Sequence, residues 1–306
     1  MIHASAPATL MLMGEHAVLQ GHRALVAAAT PRLHVYLRPR FDRRVTIQSA
    51  LGDDQADLDA LEIKAPFKFV LSIIAQIKPQ EGFDLEIQSD FSATVGLGSS
   101  AAVMVATAAA ISALHPQNKT LFEICYASLQ QVQGQGSGAD LMAAIMGGIV
   151  CYRRAPFLAE KIWPNSHLTA LPMTLLYSGY KRPTSEVIQI VAGFSQKEPA
   201  RYADLFQRID GSVGKAEAAL LSGDLVAFSE AMKTNQIYMQ QLGISDQNLD
   251  CMVDYLQAHP AILAAKISGS GLGDCVFGLG EAHFDDALPW AQLAVSLSSQ
   301  GVCIHD

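Results

Sequence analysis

The sequence predicts an α+β protein of two domains, and three observations lead there. Short strand-like alternations and longer helical periodicities are mixed along the chain rather than segregated into blocks. At 306 residues, half of them hydrophobic, the chain can bury a core in each of two domains or in one large one. Around Trp163, Pro164, Asn165 and Ser166 the apolar periodicity lapses and turn formers gather, which divides the chain into residues 1–165 and 166–306.

Taken in order, strand-like runs occupy residues 10–13, 33–37, 45–48, 83–88 and 149–152. Helical patterns fall at 61–77, 101–114 and 121–132, and a further helix opens at 141–146. In the second half a strand at 173–177 precedes helices at 185–194, 201–221, 225–242 and 249–259. A glycine turn and a strand at 275–279 follow, and 287–297 reads as a closing helix. No repeat, low-complexity tract or long charge run interrupts these elements.

Composition narrows the function. A formal charge of −8 argues against a nucleic-acid backbone as partner, because that binding depends on clustered Lys and Arg. A small anion would have to be met by a local basic site. Cys125, Cys151, Cys251, Cys275 and Cys303 are odd in number, far apart and without a C-x-x-C pair, which suits free thiols in a reducing compartment. The nine histidines form no HExxH. With no basic and apolar leader and no apolar run long enough for a bilayer, a cytoplasmic protein without a membrane partner is expected.

The most informative segment is Gly96, Leu97, Gly98, Ser99, Ser100, Ala101 and Ala102, which opens a long stretch of small and apolar residues. A glycine turn feeding a helix leaves backbone N–H groups at the positive end of the helix dipole, and that arrangement holds phosphates. A Walker loop is excluded because no Lys follows at the required spacing. Gly96, Gly98 and Ala101 satisfy the loose dinucleotide pattern, but the next acid is Glu123, beyond His115 and Pro116. An ordinary glycine turn before a buried helix is the remaining alternative.

Two further turns carry chemistry. Gly134 to Asp140 sets one carboxylate after a glycine-rich turn, placed either to accept a proton or hold Mg²⁺, or to act as an N-cap. Gly269, Ser270, Gly271, Leu272, Gly273 and Asp274 precede a buried strand, as a tight connection or as part of a site. Glu15 and His16 follow the strand at 10–13 and could orient a polar substrate or sit on a surface loop.

In this order the segments resemble the GHMP kinase family, small-molecule kinases named after galactokinase, homoserine kinase, mevalonate kinase and phosphomevalonate kinase. Pro7 through Val26, with Gly14, Glu15, His16, Ala17, Val18 and Gly21, is similar to the first family motif in its mevalonate kinase form. Gly96 to Ala102 is similar to the second motif, and Lys266 through Cys275 to the third. Ser137, Gly138 and Asp140 resemble the segment that carries the catalytic aspartate. Ser178 to Thr184 and the stretch from Asn235 to Asp250 also look like mevalonate kinase, whereas Gln133 to Gly138 and the ending Gly273, Asp274, Cys275 look more like phosphomevalonate kinase.

The resemblance implies a ribosomal-protein-S5-like N-terminal domain and a ferredoxin-like C-terminal domain, with the active site in the cleft between them. It implies ATP and Mg²⁺ as cofactors and a small-molecule substrate, mevalonate first, and it allows a homodimer. Asp140 would be the catalytic base. Gly96, Leu97, Gly98, Ser99, Ser100 and Ala101 would bind ATP, and Ser100 would meet the metal. Glu15, His16, Arg182 and Thr184 would orient the substrate, and Gly269, Ser270 and Gly271 would support the phosphate loop.

Two departures touch the chemistry. The family's first motif reads Ala, Pro, Gly, Lys, but this chain has Ala6, Pro7, Ala8, Thr9, so the motif lysine is absent. The metal-binding glutamate eleven residues before the aspartate falls on Leu129. Lys181 or Arg182 could supply the missing charge from the second domain. Phosphomevalonate kinase, another sugar or hydroxy-acid kinase, and a non-catalytic binding protein of the same fold are the alternatives.

Overall fold

Two long strands built largely from small residues form the centre of the molecule. A computed structural model describes residues 1–163, 171–284 and 288–305. β1 (Ile2–Met13) and β2 (Ala24–Pro39) pair antiparallel, and Ala4, Ala6, Ala8, Ala27, Ala28 and Ala29 are fully buried along them. The sequence shows only fragments of both strands, because alanine and proline carry weak strand signals. At Pro7 and Ala8 the register shifts from a partner at Arg32 to one at Ala29, so Pro31 occupies a bulge where no ladder N–H is needed.

β3 (Arg44–Ser49) and the polar β4 (Gly52–Asp57) form a hairpin. α1 (Lys68–Ile77) starts later than the expected 61, because Pro66 disfavours the helical region for Ala65. β5 (Phe83–Ser89) leads through the glycine turn into α2 (Ser99–Leu114), and α3 (Leu121–Gln133) opens on a capping box between Thr120 and Glu123. α4 (Ala139–Met146), β6 (Ile149–Arg153) and β7 (Leu158–Trp163) follow. The domain boundary expected at 165/166 lies outside the described residues.

β8 (Met173–Tyr177) starts the second half, followed by α5 (Thr184–Lys197), α6 (Pro199–Ser222), α7 (Leu225–Gln241) and α8 (Gln247–Gln257). Asp224 caps α7 by accepting from the Ala227 N–H, and Asp246 caps α8 by accepting from the Leu249 N–H. β9 (Ala264–Ser268), β10 (Cys275–Leu279), β11 (Ala291–Leu293) and β12 (Cys303–His305) complete the order.

The expected closing helix at 287–297 is not there. Over its described part, Leu293, Val295 and Leu297 turn inward at every second position, which is a strand period, and β11 pairs with β8. Leu297 then bridges to Ala29 of the first sheet.

The first sheet runs β12-β1-β2-β5-β3-β4, with β6 joining the start of β2 and β7 joining β6. All these pairs are antiparallel except β3 with β5. α1, α2 and α3 cover one face and share a core with Val35, Val45, Ile47 and Phe83. The second sheet, β11-β8-β10-β9, is antiparallel and backed by α7 and α8. α2 is apolar all round and rich in alanine, as expected of a helix enclosed on every side, and it packs against both β1 and β2.

Candidate active site

The start of α2 faces the gap between the two sheets. Gly98 is the N-cap of α2 in the left-handed region at φ 65°, and no side chain caps the helix. Its first turn therefore keeps backbone donors for a ligand. A Cβ on Gly98 would strike Thr9 Oγ1, and one on Gly96 would strike the Asp274 carboxylate, so both glycines permit close approach. Leu97 is buried and takes the Thr9 N–H on its carbonyl at 3.0 Å, which ties the loop to β1.

Asp140 arrives from the other side, in the first turn of α4. Thr9 Oγ1 donates to Asp140 Oδ1 at 2.9 Å, so the residue standing at the motif-lysine position holds the carboxylate instead. Burial raises the Asp140 carboxyl above its ordinary value; the Thr9 bond and the Lys181 charge oppose that rise, and Asp274 adds to it. A carboxylate made more basic in this way is better suited to accept a proton.

The second half supplies Lys181 and Asp274. Lys181 Nζ lies 3.0 Å from Asp274 Oδ2. Asp274 has a positive φ of 78°; its N–H donates to the Tyr180 carbonyl at 2.8 Å and its own carbonyl accepts from the Ser178 N–H at 2.9 Å. These bonds fix the Lys181 loop against the third glycine turn. Burial raises the Asp274 carboxyl, and Lys181 lowers it.

Glu15 is 2% exposed and accepts from Lys266 Nζ, itself fully buried on β9. Burial pushes both groups toward neutrality, raising the Glu15 carboxyl and lowering the Lys266 ammonium, while each opposes the other's shift. His16 is buried with a lowered pKa, so its ring is neutral near pH 7. His16 Nε2 sits 2.9 Å from the Ser270 carbonyl, which only accepts, so this nitrogen carries the proton.

One pocket gathers Gly96, Gly98, Ser99, Ser100 and Ala101 with Asp140, Glu15 and His16 from the first half, and Lys181, Thr184, Gly269, Ser270 and Asp274 from the second. Arg182 is exposed and Leu97 and Gly271 also stand outside the lining; Gly271 packs tightly against the Ile244 backbone. Sequence reasoning missed the Thr9 bond to Asp140 and the Lys266 partner of Glu15. A lysine inside the apolar run Ala264 to Ser268 was the available signal, since a buried cation requires a counter-charge.

The donors fit a hard divalent cation. Ser100 and the carboxylates of Asp140 and Asp274 bring oxygen donors to one pocket, and the buried Asp274 Oδ1 has no hydrogen-bond partner. Mg²⁺ takes one or two carboxylates with phosphate and water. Leu129, where a glutamate was expected, is buried and packs over Gly136, so it offers no donor.

Residues 65–148 match the family described as GHMP kinases N terminal domain, and residues 216–288 match GHMP kinases C terminal. The chain is 29% identical to mevalonate kinase of Archaeoglobus fulgidus over 309 aligned positions, covering 99% of each chain. It is 30% identical to mevalonate kinase of Aeropyrum pernix, covering 90% of this chain and 87% of that one. The crystal structure of Methanococcus jannaschii mevalonate kinase shares the fold at a TM-score of 0.75, with 24% identity over 91% of this chain and 90% of that one.

Proposed function

This chain belongs to the GHMP kinase family of ATP-dependent small-molecule kinases, and we propose that it phosphorylates the C5 hydroxyl of mevalonate. The observation that carries the reading is the meeting of Asp140, held by Thr9, with the uncapped start of α2 in a pocket that Lys181 closes from the other half. Curated relatives of nearly the same length are named for this activity.

Free backbone N–H groups between Gly96 and Ser100 receive the ATP phosphates; those of Leu97 and Ala101 are already taken by the Val95 and Gly98 carbonyls. Asp140 takes the proton of the substrate hydroxyl as its oxygen attacks the γ-phosphorus; the new P–O bond forms as the bond to ADP breaks. The products are 5-phosphomevalonate and ADP, with the proton left on Asp140 for release. Lys181 supplies positive charge near the transferred group, in place of the lysine that Thr9 replaces. Ser100 and Asp274 would hold Mg²⁺, which supplies neutralisation of phosphate charge when bound. His16 from the first half and Thr184 from the second orient the substrate, Glu15 acts through its pair with Lys266, and Arg182, outside the lining, meets the substrate carboxylate.

Among the described residues no helix is long and apolar enough to cross a membrane. All five cysteines are free, which supports a cytoplasmic setting. The test is a coupled ADP-release assay with Mg-ATP and, separately, mevalonate, 5-phosphomevalonate, homoserine and galactose. Turnover on mevalonate alone is expected. Turnover on another acceptor replaces the substrate assignment, and silence on all four overturns the mevalonate reading.

A further inference from the structure

We propose that His3, His34 and His305 form a binding site for a divalent transition metal of the zinc class, remote from the catalytic pocket. Each offers a ring nitrogen, and these atoms lie within 4.8 Å of one another; no other such group of three occurs among the described residues.

Strand register creates the cluster. His3 on β1 stands opposite His305 on β12 and Tyr36 on β2, and Ser5 stands opposite His34. Because side chains alternate between faces, His3, Ser5, His34, Tyr36 and His305 share the face turned away from the core that holds Ala4, Ala6 and Val35. His3 Nε2 and His34 Nδ1 are 3.0 Å apart, so one of the two presents a lone pair to the other. The His3 ring stacks on His305 at 4.1 Å and on Tyr36 at 4.2 Å.

The chemistry of the donors selects the ion. Imidazole suits Zn, Cu and Ni, whereas Mg²⁺ and Ca²⁺ prefer oxygen. Zinc bound by nitrogen at about 2.0–2.1 Å in tetrahedral geometry separates its ligand atoms by roughly 3.3–3.4 Å. The His3 and His34 pair stands at close to that spacing already, and rotation of the His305 ring completes the triad.

The surroundings are those of a supported site. Ser5 Oγ lies 2.7 Å from His305 Nε2, and Asp90 Oδ2 lies 3.8 Å from His34 Nε2, near enough to offset the ion's charge. The neighbouring cation, Arg32, turns Nε and Nη2 to Ser5 Oγ, the Ser5 carbonyl and the Gly301 carbonyl. Three imidazoles leave a fourth position for water. The ion would pin β12, a strand of only three residues, to β1 and β2.

The test uses full-length protein stripped with chelator and titrated calorimetrically with ZnCl₂ in buffer containing Mg²⁺, with cobalt absorption as a second readout. One saturable equivalent is expected, together with a zinc-dependent rise in Tm. His34→Asn and His305→Asn should each weaken it by more than the roughly 10- to 100-fold that loss of an outer-shell partner costs. Asp140→Asn and Cys251→Ser should retain it. Absence of a saturable equivalent in the parent overturns the proposal. So does unchanged affinity in both histidine variants, or loss in the Cys251 variant, which would give the zinc to a thiol.

Discussion

The Thr9 hydroxyl donates to Asp140 across 131 residues of sequence, and its backbone N–H donates to the Leu97 carbonyl of the phosphate loop. One side chain on β1 thereby sets the Asp140 carboxylate, the proposed base, relative to the loop proposed to hold the nucleotide. Removing the hydroxyl in Thr9→Val takes away a bond that lowers the Asp140 pKa. That pKa then rises further, and because the base must be unprotonated, the acidic limb of kcat/KM moves to higher pH with the plateau largely kept. An unmoved limb would show that the Thr9 bond does not tune the base.

Asp140→Asn separates catalysis from stability. Loss of a general base costs about 10²–10⁴ in kcat, while ATP binding measured by calorimetry should hold. The folded carboxyl has a raised pKa, so its stabilising contribution is present below the unfolded pKa and lost as pH rises through the folded one. At pH 7 the buried charge is a cost, and the variant should melt higher than the parent, a gain that shrinks toward acid. A lower melting temperature at pH 7 would contradict this account.

Lys181→Met tests the displaced cation. If Lys181 offsets charge in the transition state, kcat falls by about a hundredfold or more. The acidic limb also moves up, since the ammonium lowers both Asp140 and Asp274. Lys181→Arg should recover part of kcat. Turnover that matches the parent in Lys181→Met would remove the residue from the mechanism.

Glu15 and Lys266 should behave as a buried pair rather than as two independent groups. Glu15→Gln or Lys266→Met alone leaves an uncompensated charge and should cost about 3–5 kcal/mol in urea denaturation. The double variant should recover most of that loss. Additive losses in the double variant would show that the two side chains stabilise the fold separately.

The parts of the site that were legible in the sequence are those whose function depends on local chain geometry. Gly96, Gly98, Ser99 and Ser100 declare a turn into a helix, and Gly138 and Asp140 declare another, so the spacing alone brings out both. The partners that tune them were not legible. Thr9 is a small polar residue in an alanine-rich strand, and Lys266 lies 251 residues from Glu15; only the folded strands bring them together. Arg182 looked equivalent to Thr184 by spacing, and both are exposed, yet only Thr184, at the start of α5, lines the pocket. In the fold, long helices such as α6 and α7 were apparent, whereas most of β1 and of β2 was hidden by alanines and prolines. The closing segment was misread because Leu293 and Leu297 also satisfy a helical spacing of four, and only the burial of Val295 between them decides for a period of two.

The return of β12 to β1 has a consequence for synthesis. During translation the sheet that carries the loop at residues 96–101 keeps the outer edge of β1 open until residues 303–305 have emerged, well after the described helices have been made. The first half cannot finish as an independent unit ahead of the second, as N-terminal domains commonly do. An arrested chain lacking that last strand would expose the β1 edge to pairing with another nascent chain.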